Sequence, residues 1–109
     1  MSLVSTISTS AFAASDHLSQ GKASYYSSGS RTANGEHFNP NGRTAAHRSL
    51  PFGTRLRVTN VSNGRSVVVR VNDRGPFIHG RVLDLSRGAA KVIGMVAAGT
   101  ASITMARIN

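Results

Sequence analysis

The chain contains no cysteine among its 109 residues, and aromatic residues make up only 6% of it. Without cysteine, the fold uses neither disulfide bonds nor thiolate metal ligands. No apolar run approaches the length of about 20 residues that a transmembrane helix needs. The chain length suits one domain, and a hydrophobic content of 39% is sufficient for a single apolar core.

Acidic residues are also scarce. Thirteen lysines and arginines stand against four aspartates and glutamates, which gives a formal net charge of +9 at pH 7. Such a surface attracts anionic partners, and salt screens that attraction. Asp16 lies in the N-terminal tail, so Glu36, Asp73 and Asp84 are the only carboxylates in the body of the chain. Any side-chain carboxylate chemistry must therefore use one of these three residues.

The positive charge does not have the arrangement of a nucleic-acid-binding surface. The arginines are dispersed from Arg31 to Arg107 rather than clustered, and few aromatic residues lie between them to stack on bases. We therefore predict no nucleic-acid partner. An acidic cell-wall polymer is the other anion considered.

The first twenty residues are small and polar and show no helix or strand period. The stretch "AFAA" at residues 11–14 fits the Ala-x-Ala pattern before a signal-peptide cleavage site, although no basic start or apolar stretch precedes it. We interpret residues 1–20 either as the remnant of an export signal or as a disordered leader. Residues 21–109 are predicted to form one domain.

Short strands separated by turn residues are predicted from residue 21 onward. "ASYYS" at residues 23–27 has the composition of a first strand. The clearest pattern is a hairpin, in which residues 55–61 and 65–73 flank a Ser-Asn-Gly turn. If the period of two continues to the end of the second strand, Asp73 lies on its apolar face and points inward at the mouth of the fold.

One segment has helical periodicity, with apolar residues at Leu85, Ala89, Val92, Ile93 and Val96. Ser86 or Asp84 is available to cap the start of this predicted helix. Residues 101–108 alternate again and predict a final strand. Many short strands with one helix indicate a mainly β, compact barrel.

A long loop is predicted at residues 27–42, where Gly, Asn and Ser predominate and Asn-Gly and Asn-Pro pairs mark tight turns. A loop of this length in so small a domain is more often functional than idle. Glu36 lies on this loop, where a solvated charge is the ordinary interpretation. His47 follows the loop between small residues, where a hydrogen-bonded packing role is ordinary.

Asp73 has two interpretations, because "DRGP" is also a common turn sequence. The functional interpretation is an acid that burial at the end of a valine-rich strand keeps neutral, an effect that the neighbouring Arg74 opposes. Asp84 is interpreted as structural, either as a helix cap or as an acceptor for loop amides. No Walker loop, GxSxG elbow or dinucleotide fingerprint is present.

A metal site is the remaining possibility for the titratable residues outside the tail. The candidate ligands are Glu36, His37, His47, Asp73 and His79. No pair of them has the helical His-x-x-x-His spacing that makes such a site specific. We therefore predict neither a metal nor another cofactor.

Four ordered motifs, "TANGE", "TAAHRSLPFGT", "VNDRGPF" and "GRVLDLS", lie between residues 21 and 108. In these motifs the chain closely resembles the rare lipoprotein A family of bacterial envelope proteins, which is related in fold to the expansins. The resemblance implies a six-stranded double-psi β-barrel with one or two short helices. It also implies a periplasmic, monomeric protein that acts on peptidoglycan.

The resemblance further implies a lytic transglycosylase that cleaves the bond between N-acetylmuramic acid and N-acetylglucosamine in peptide-stripped glycan strands. The family's catalytic residues fall on Asp73, Glu36 and His47. Asp73 is expected to act as the acid and base, Glu36 to stabilise the transition state or share the proton, and His47 to orient. The residues expected to contact substrate are Arg74, Tyr25, Asn34 and Asn72, with Tyr26 as a second candidate for a sugar-stacking face.

The chain departs from the family pattern in three respects. It has no lipid-bearing cysteine, so either that region lies outside this chain or this member is a soluble periplasmic protein. It ends after one barrel, whereas many members continue into a glycan-binding repeat domain. Asn39 replaces a frequent aspartate. Because the expansin barrel loosens polysaccharide without obvious cleavage, a non-catalytic glycan-binding module is the alternative function.

Overall fold

A computed structural model describes residues 17–108, which form a closed barrel of six strands with one short helix. The elements in chain order are β1 (His17–Tyr26), β2 (Thr44–Ala46), β3 (Arg55–Asn60), β4 (Ser66–Asp73), β5 (Arg81–Ser86), α1 (Arg87–Val92) and β6 (Ala101–Arg107). Around the barrel the strands follow the order β1-β5-β2-β4-β3-β6. The β1–β5 and β2–β4 pairs are parallel, and the other pairs are antiparallel. The expected six-stranded double-psi architecture is confirmed.

The predicted hairpin is the most regular part of the barrel. β3 pairs with β4 so that Leu56 faces Val69 and Val58 faces Val67. These four side chains are at most 5% exposed, because alternate residues on each strand point into the barrel. β6 closes this side of the barrel by pairing with β3, and its Met105 lies opposite Val58. The period-two predictions are confirmed for β3, for β6 and for β4 as far as Val71.

The apolar core fills the interior of the closed barrel. Its members come from all six strands, from α1 and from the residues that follow α1: Ala23, Ala45, Leu56, Val58, Val67, Val69, Val71, Leu83, Leu85, Ala89, Ala90, Ile93, Met95, Ile103 and Met105. Strands β2 and β5 contribute to this core although neither is predicted as a strand. β2 has only three residues, which is too short to show a period.

The helix is shorter than its periodicity predicts. Leu85 belongs to β5, and α1 occupies only Arg87–Val92. Ser86 stands at the N-cap position but its hydroxyl makes no capping bond; it donates to Gly42 O at 2.7 Å instead. The predicted side-chain cap is therefore wrong. Among residues 17–108, no helix has the length and apolarity that a bilayer span requires.

The barrel begins within the segment predicted as leader. β1 starts at His17, four residues before the predicted domain boundary, and pairs with β6 from its first residue. Strand pairing thus includes residues that lack an apolar period of their own. The predicted cleavage pattern at residues 11–14 lies outside the described residues, and the leader remains a prediction there.

Candidate functional site

Asp73 is the last residue of β4 and lies where the strand register shifts. Val71 is level with Ala45 of β2, and Asp73 is level with the next residue, Ala46, so β4 carries one extra residue there. Ala46 is in turn level with Asp84 of β5. Because residues at the same level of a sheet share a face, Asp73 and Asp84 flank Ala46 on the outer face of the barrel. The expectation that Asp73 continues the inward apolar face of β4 is therefore wrong, since the bulge interrupts the alternation.

The Asp73 carboxylate is half-buried and accepts hydrogen bonds at both oxygens. Oδ1 accepts from the backbone N–H groups of Ala33 at 2.8 Å and Arg74 at 2.9 Å. Oδ2 accepts from the Tyr26 hydroxyl at 3.2 Å. Burial, followed by the Asp73 charge and this hydrogen bond, raises the pKa of Tyr26. Tyr26 is therefore a fixed hydrogen-bond donor to Asp73 at neutral pH.

The loop of residues 27–42 is ordered by its own backbone and lies alongside the end of β4. A tight turn is closed by the Gly35 N–H, which donates to Thr32 O at 2.9 Å, and Gly35 has the positive φ of 93° that this turn needs. The Asn34 N–H donates to Asn72 O at 3.2 Å. The loop is thus attached to β4 one residue before Asp73, and the predicted tight turns are present at residues 32–35 and 39–42.

Glu36 is held as an anion by three side chains. Both of its oxygens pair with the Arg70 guanidinium, with Nη2 at 3.0 Å from Oε1. The side-chain amides of Asn34 and Asn72 donate to it at 2.8 and 3.2 Å. The hydrogen bonds from Arg70, Asn34 and Asn72, in that order of size, lower the pKa of Glu36 from 4.5 to about 2. Glu36 is consequently suited to stabilise positive charge rather than to donate a proton.

His47 follows β2, and its imidazole is fixed in one tautomer. Nδ1 accepts from the backbone N–H groups of Ser49 at 3.1 Å and Leu50 at 3.0 Å, so the ring proton lies on Nε2. Burial, followed by the charges of Arg48 and Arg74, lowers the pKa of His47. The residue is therefore neutral at pH 7, with an Nε2–H group as its available donor.

The three predicted catalytic residues are brought together at one end of the barrel. The His47 N–H donates to Asp73 O at 3.1 Å, so the two residues are attached through their backbones. Asn72, which precedes Asp73, holds the Glu36 carboxylate with its side-chain amide. The half-buried carboxyl group of Asp73, the Glu36 anion and the neutral His47 imidazole thus lie at the same end of the barrel. Acid–base chemistry on a substrate with hydroxyl or ether oxygens is compatible with this set.

Arg74, predicted to bind substrate carboxylates, makes contacts within the protein. Its Nη1 donates to Leu50 O at 2.8 Å and to His47 O at 3.3 Å. Its guanidinium carbon lies 4.0 Å from the centroid of the Phe52 ring. These contacts connect the end of β4 to the segment that carries His47, so Arg74 positions that segment. Its binding of substrate remains a prediction.

The other three predicted substrate contacts also have partners within the protein. Tyr25 packs against the core and donates its hydroxyl to Val96 O at 3.0 Å, whereas the next residue, Tyr26, contacts Asp73. Asn34 and Asn72 hold Glu36, and Asn72 is only 2% exposed. The structure therefore assigns these residues supporting contacts. Direct contact with substrate remains a prediction for each of them.

Asp84, predicted to be structural, lies beside the site. It accepts a hydrogen bond from the Ser24 hydroxyl at 2.8 Å and caps no helix. Burial is the largest cause that raises the pKa of Asp84; the Ser24 bond and Arg81 oppose it, and the Asp73 charge adds to it. This half-buried carboxyl group therefore binds a proton more readily than a solvated aspartate does.

Sequence reasoning misses Arg70, and it predicts Tyr26 only as a candidate sugar-stacking face and not as a partner of Asp73, although a signal for each contact exists. Arg70 lies two positions before Asn72 on β4, so the period of two puts both on one face, where both bind Glu36. Tyr26 lies two positions after Ser24 on β1, and these residues contact Asp73 and Asp84 respectively. Strand alternation therefore identifies both residues once the acids are known.

No group of three or more His, Cys, Asp or Glu side chains that could hold a metal is present within residues 17–108. Two open concavities of about 360 and 340 Å³ lie on the outer face of the opposite side of the barrel. The larger is lined by Ser19, Gln20, Arg57, Thr59, Thr104, Met105 and Ala106. Neither concavity is lined by Asp73, Glu36 or His47.

Comparison with known sequences identifies close relatives. A protein-family model described as "Lytic transglycolase" matches residues 18–105. The "Probable endolytic peptidoglycan transglycosylase RlpA" of Nostoc sp. is 64% identical over 89 residues, which cover 77% of this chain and 24% of the relative. The "Endolytic peptidoglycan transglycosylase RlpA" of Campylobacter jejuni is 53% identical over 88 residues, which cover 78% and 32%. The chain thus spans about a quarter to a third of the length of these relatives.

Comparison with solved structures supports the architecture. A Streptomyces papain inhibitor superposes with a TM-score of 0.70 at 23% identity, covering 84% of this chain and 94% of the inhibitor. An expansin from Clavibacter michiganensis gives a TM-score of 0.67 at 24% identity, covering 83% of this chain and 50% of the expansin. At these identities the likeness concerns the fold alone. The same barrel therefore occurs in proteins with different names and activities.

Proposed function

Because the chain belongs to the rare lipoprotein A family, we propose that it is the catalytic domain of an endolytic peptidoglycan transglycosylase. The relatives that carry this activity in their names match over most of the barrel. The observation that carries the proposal is the position of Asp73, half-buried at the end of β4 and attached to His47 and to the Glu36-binding residue Asn72.

Lytic transglycosylation requires one group that first donates and then accepts a proton. We assign this cycle to Asp73. In the first step its proton passes to the glycosidic oxygen between N-acetylmuramic acid and N-acetylglucosamine, and the glycosidic bond breaks. In the second step the carboxylate accepts the proton of the muramyl C6 hydroxyl, whose oxygen bonds to C1 and closes a 1,6-anhydro ring. Asp73 regains its proton, and no water is consumed.

The neighbouring groups support each stage of this cycle. Asp84 lies on the other side of Ala46, and the Asp73 charge adds to the burial that raises the pKa of Asp84, so a second carboxyl group that binds a proton readily lies beside the cycle. The Glu36 anion stabilises the positive charge that develops at the muramyl C1 atom. The His47 Nε2–H group is a neutral donor for a sugar hydroxyl.

The substrate proposed is glycan from which the stem peptides have been removed. Each muramic acid of such a strand presents a free lactyl carboxylate. The net charge of +9 is complementary to a polymer with a carboxylate at every second sugar. The same chemistry puts the protein in the cell envelope, and we propose the periplasm as its compartment and a monomer as its working form.

The test is chemical analysis of the products. Purified peptide-free glycan is incubated with the chain, and the new ends are identified by mass spectrometry. We expect 1,6-anhydromuramyl ends, a fall in rate of about 1000-fold for Asp73→Asn, and retained glycan binding in that variant. Asp16→Asn, which changes a carboxylate outside the described residues, is the control and should cleave at the wild-type rate.

Other results would replace the proposal. Reducing muramyl ends without the anhydro ring would identify a hydrolase. Binding without any new ends would identify a glycan-binding module. Full activity of Asp73→Asn would remove this residue from the proton cycle.

A further inference from the structure

The aromatic residues within residues 17–108 are almost all engaged inside the protein. Tyr25 packs on the core, and the rings of Tyr26 and Phe38 stack with their centroids 4.6 Å apart. Phe52 is 41% exposed, and one face of its ring is covered by the Arg74 guanidinium. Phe77, by contrast, is 76% exposed. Each tyrosine ring is thus partly covered by a partner within the protein, whereas Phe77 is the most exposed aromatic ring among these residues.

Phe77 lies at the end of the barrel that carries the catalytic candidates. It belongs to the segment of residues 74–80 that connects β4 to β5, and β2 lies between these two strands. Since β4 and β2 are parallel and β5 is antiparallel to β2, this connection passes the end of β2 that His47 follows. The crossing is fastened by Arg48, whose Nη2 donates to Arg81 O at 3.1 Å.

The Phe77 ring lies beside the backbone of Gly75. Gly75 has a φ of 120°, and a Cβ atom built there would lie 3.5 Å from the Phe77 ring. The ring thus rests close to Gly75 while most of its surface faces solvent. Ile78, the next residue, is 54% exposed. Two large apolar side chains in succession at the surface, beside a candidate active site, are typical of a contact that a partner completes.

We infer that Phe77, with Ile78 beside it, forms a sugar-binding subsite that holds a pyranose ring of the glycan next to the cleaved bond. The inference rests on the proposed function, and it names the apolar part of the site. The axial C–H groups of a pyranose make one face of the sugar apolar, and that face packs on an aromatic ring. In this proposal the basic residues bind the lactyl carboxylates, whereas Phe77 binds a pyranose ring, which every repeat of the glycan presents.

The ligand of this subsite is a glycan because Phe77 and Ile78 lie in the segment that directly follows Asp73. Phe77 is only four positions after Asp73, and their shared segment contacts the stretch that bears His47 through Arg74. A glycan bound at Asp73 therefore has the segment that carries Phe77 beside it.

The test measures binding separately from cleavage. In the Asp73→Asn background, the affinity for peptide-free glycan fragments of defined length is measured by calorimetry for Phe77→Ala, Phe77→Trp and the control Val61→Ala. Val61 is 59% exposed and lies in the turn between β3 and β4, away from the end that carries His47. We expect about tenfold weaker binding for Phe77→Ala, wild-type affinity for Val61→Ala, and recovery in Phe77→Trp.

Two further measurements keep the inference separate from the proposed function. The Ile78 methyl resonances should shift on addition of glycan, and Phe77→Ala should raise KM about tenfold with little change in kcat. Cleavage by the wild-type chain with unchanged glycan affinity in Phe77→Ala would overturn the inference alone. Absence of cleavage together with weaker binding in Phe77→Ala would overturn the proposed function alone. If the wild-type chain self-associates in sedimentation, and Phe77→Ala abolishes this while its glycan affinity is unchanged, Phe77 forms a protein contact instead.

Discussion

The β3–β4–β6 side of the barrel and the β1–β5–β2 side close the same sheet but differ in their regularity. β3 pairs with β4 and with β6 over five residues each, without a register shift. The β1–β5 and β2–β4 pairs each contain a shift. A bulge adds one residue to a strand, so the side chains after it point to the opposite face from the one that regular alternation would give them. The irregular pairing is where Asp73 lies, so the departure from the strand period positions the site.

The two sides also differ in their polar content. Glu36, Asp73 and Asp84 are the carboxylates within residues 17–108, and all three lie on or beside β2, β4 and β5. The β3–β6 ladder contributes buried Leu, Val, Ile and Met side chains instead. β4 takes part in both, because its inward valines pack in the core and its last residue is Asp73, so substitutions in the core and at the site should have separable effects.

The largest effect on stability is expected in the regular side. Val69 is 1% exposed within the core, so Val69→Ala should lower the free energy of unfolding by about 2 to 3 kcal/mol through lost burial and a residual cavity. Its neighbour Val68 faces outward, and Val68→Ala should cost less than about 1 kcal/mol. Urea unfolding measures both, and kcat should remain near the wild-type value. Loss of cleavage without loss of stability in Val69→Ala would contradict the separation.

A slightly smaller effect is expected where α1 meets the loop of residues 27–42. Gly88 donates its N–H to Pro40 O at 2.8 Å, and a Cβ atom there would lie 2.6 Å from Asn41 O. Because the obstacle is backbone, Gly88→Ala should displace the loop and cost about 2 kcal/mol. We also expect reduced cleavage, since Glu36 is carried by this loop. Thermal unfolding should show a lower Tm, whereas Lys91→Ala on the exposed side of α1 should leave Tm unchanged.

The ion pair between Glu36 and Arg70 should contribute about 1 kcal/mol or less to the free energy of unfolding, because both side chains are more than a third exposed. The pKa of Glu36 is about 2 in the folded protein against 4.5 for the free side chain, so the folded state favours its ionised form. Glu36→Gln should therefore destabilise the protein above pH 4.5, and the difference should vanish as the pH falls toward 2. Unfolding at pH 7 and at pH 2 measures this, with Arg70→Gln and the double variant completing the cycle. A difference that persists at pH 2 would mean that the ion pair is not its source.

The smallest effect is expected at Asp84 and has the opposite sign. Burial raises the pKa of Asp84, so its ionisation at neutral pH opposes folding. Asp84→Asn keeps an acceptor for Ser24 and removes the charge, and it should raise Tm modestly at pH 7. The gain should disappear at a pH low enough to protonate Asp84 in the unfolded chain as well. A stabilised variant with slower cleavage would show that this carboxyl group serves the reaction at the expense of stability, whereas a lower Tm at pH 7 would contradict the desolvation argument.

The sequence predicts the regular side of the barrel well and the irregular side less well. Alternation identifies β3, β4 and β6 because each buries every second residue. β5 escapes because Leu85 satisfies the helical spacing to Ala89 as well as its own strand period. The face of Asp73 is wrongly predicted because a bulge of one residue leaves no mark in the local pattern. The proximity of Glu36 and His47 to Asp73 follows from the family resemblance, since their contacts join distant parts of the chain.

The central claim is that one carboxyl group moves a proton between two sugar oxygens without the participation of water. Cleavage of peptide-free glycan in water enriched in ¹⁸O tests it most directly. The account predicts muramyl ends that carry no ¹⁸O and lack the mass of one water, with Asp73→Asn forming almost none. Incorporation of ¹⁸O at the muramyl C1 atom would contradict it.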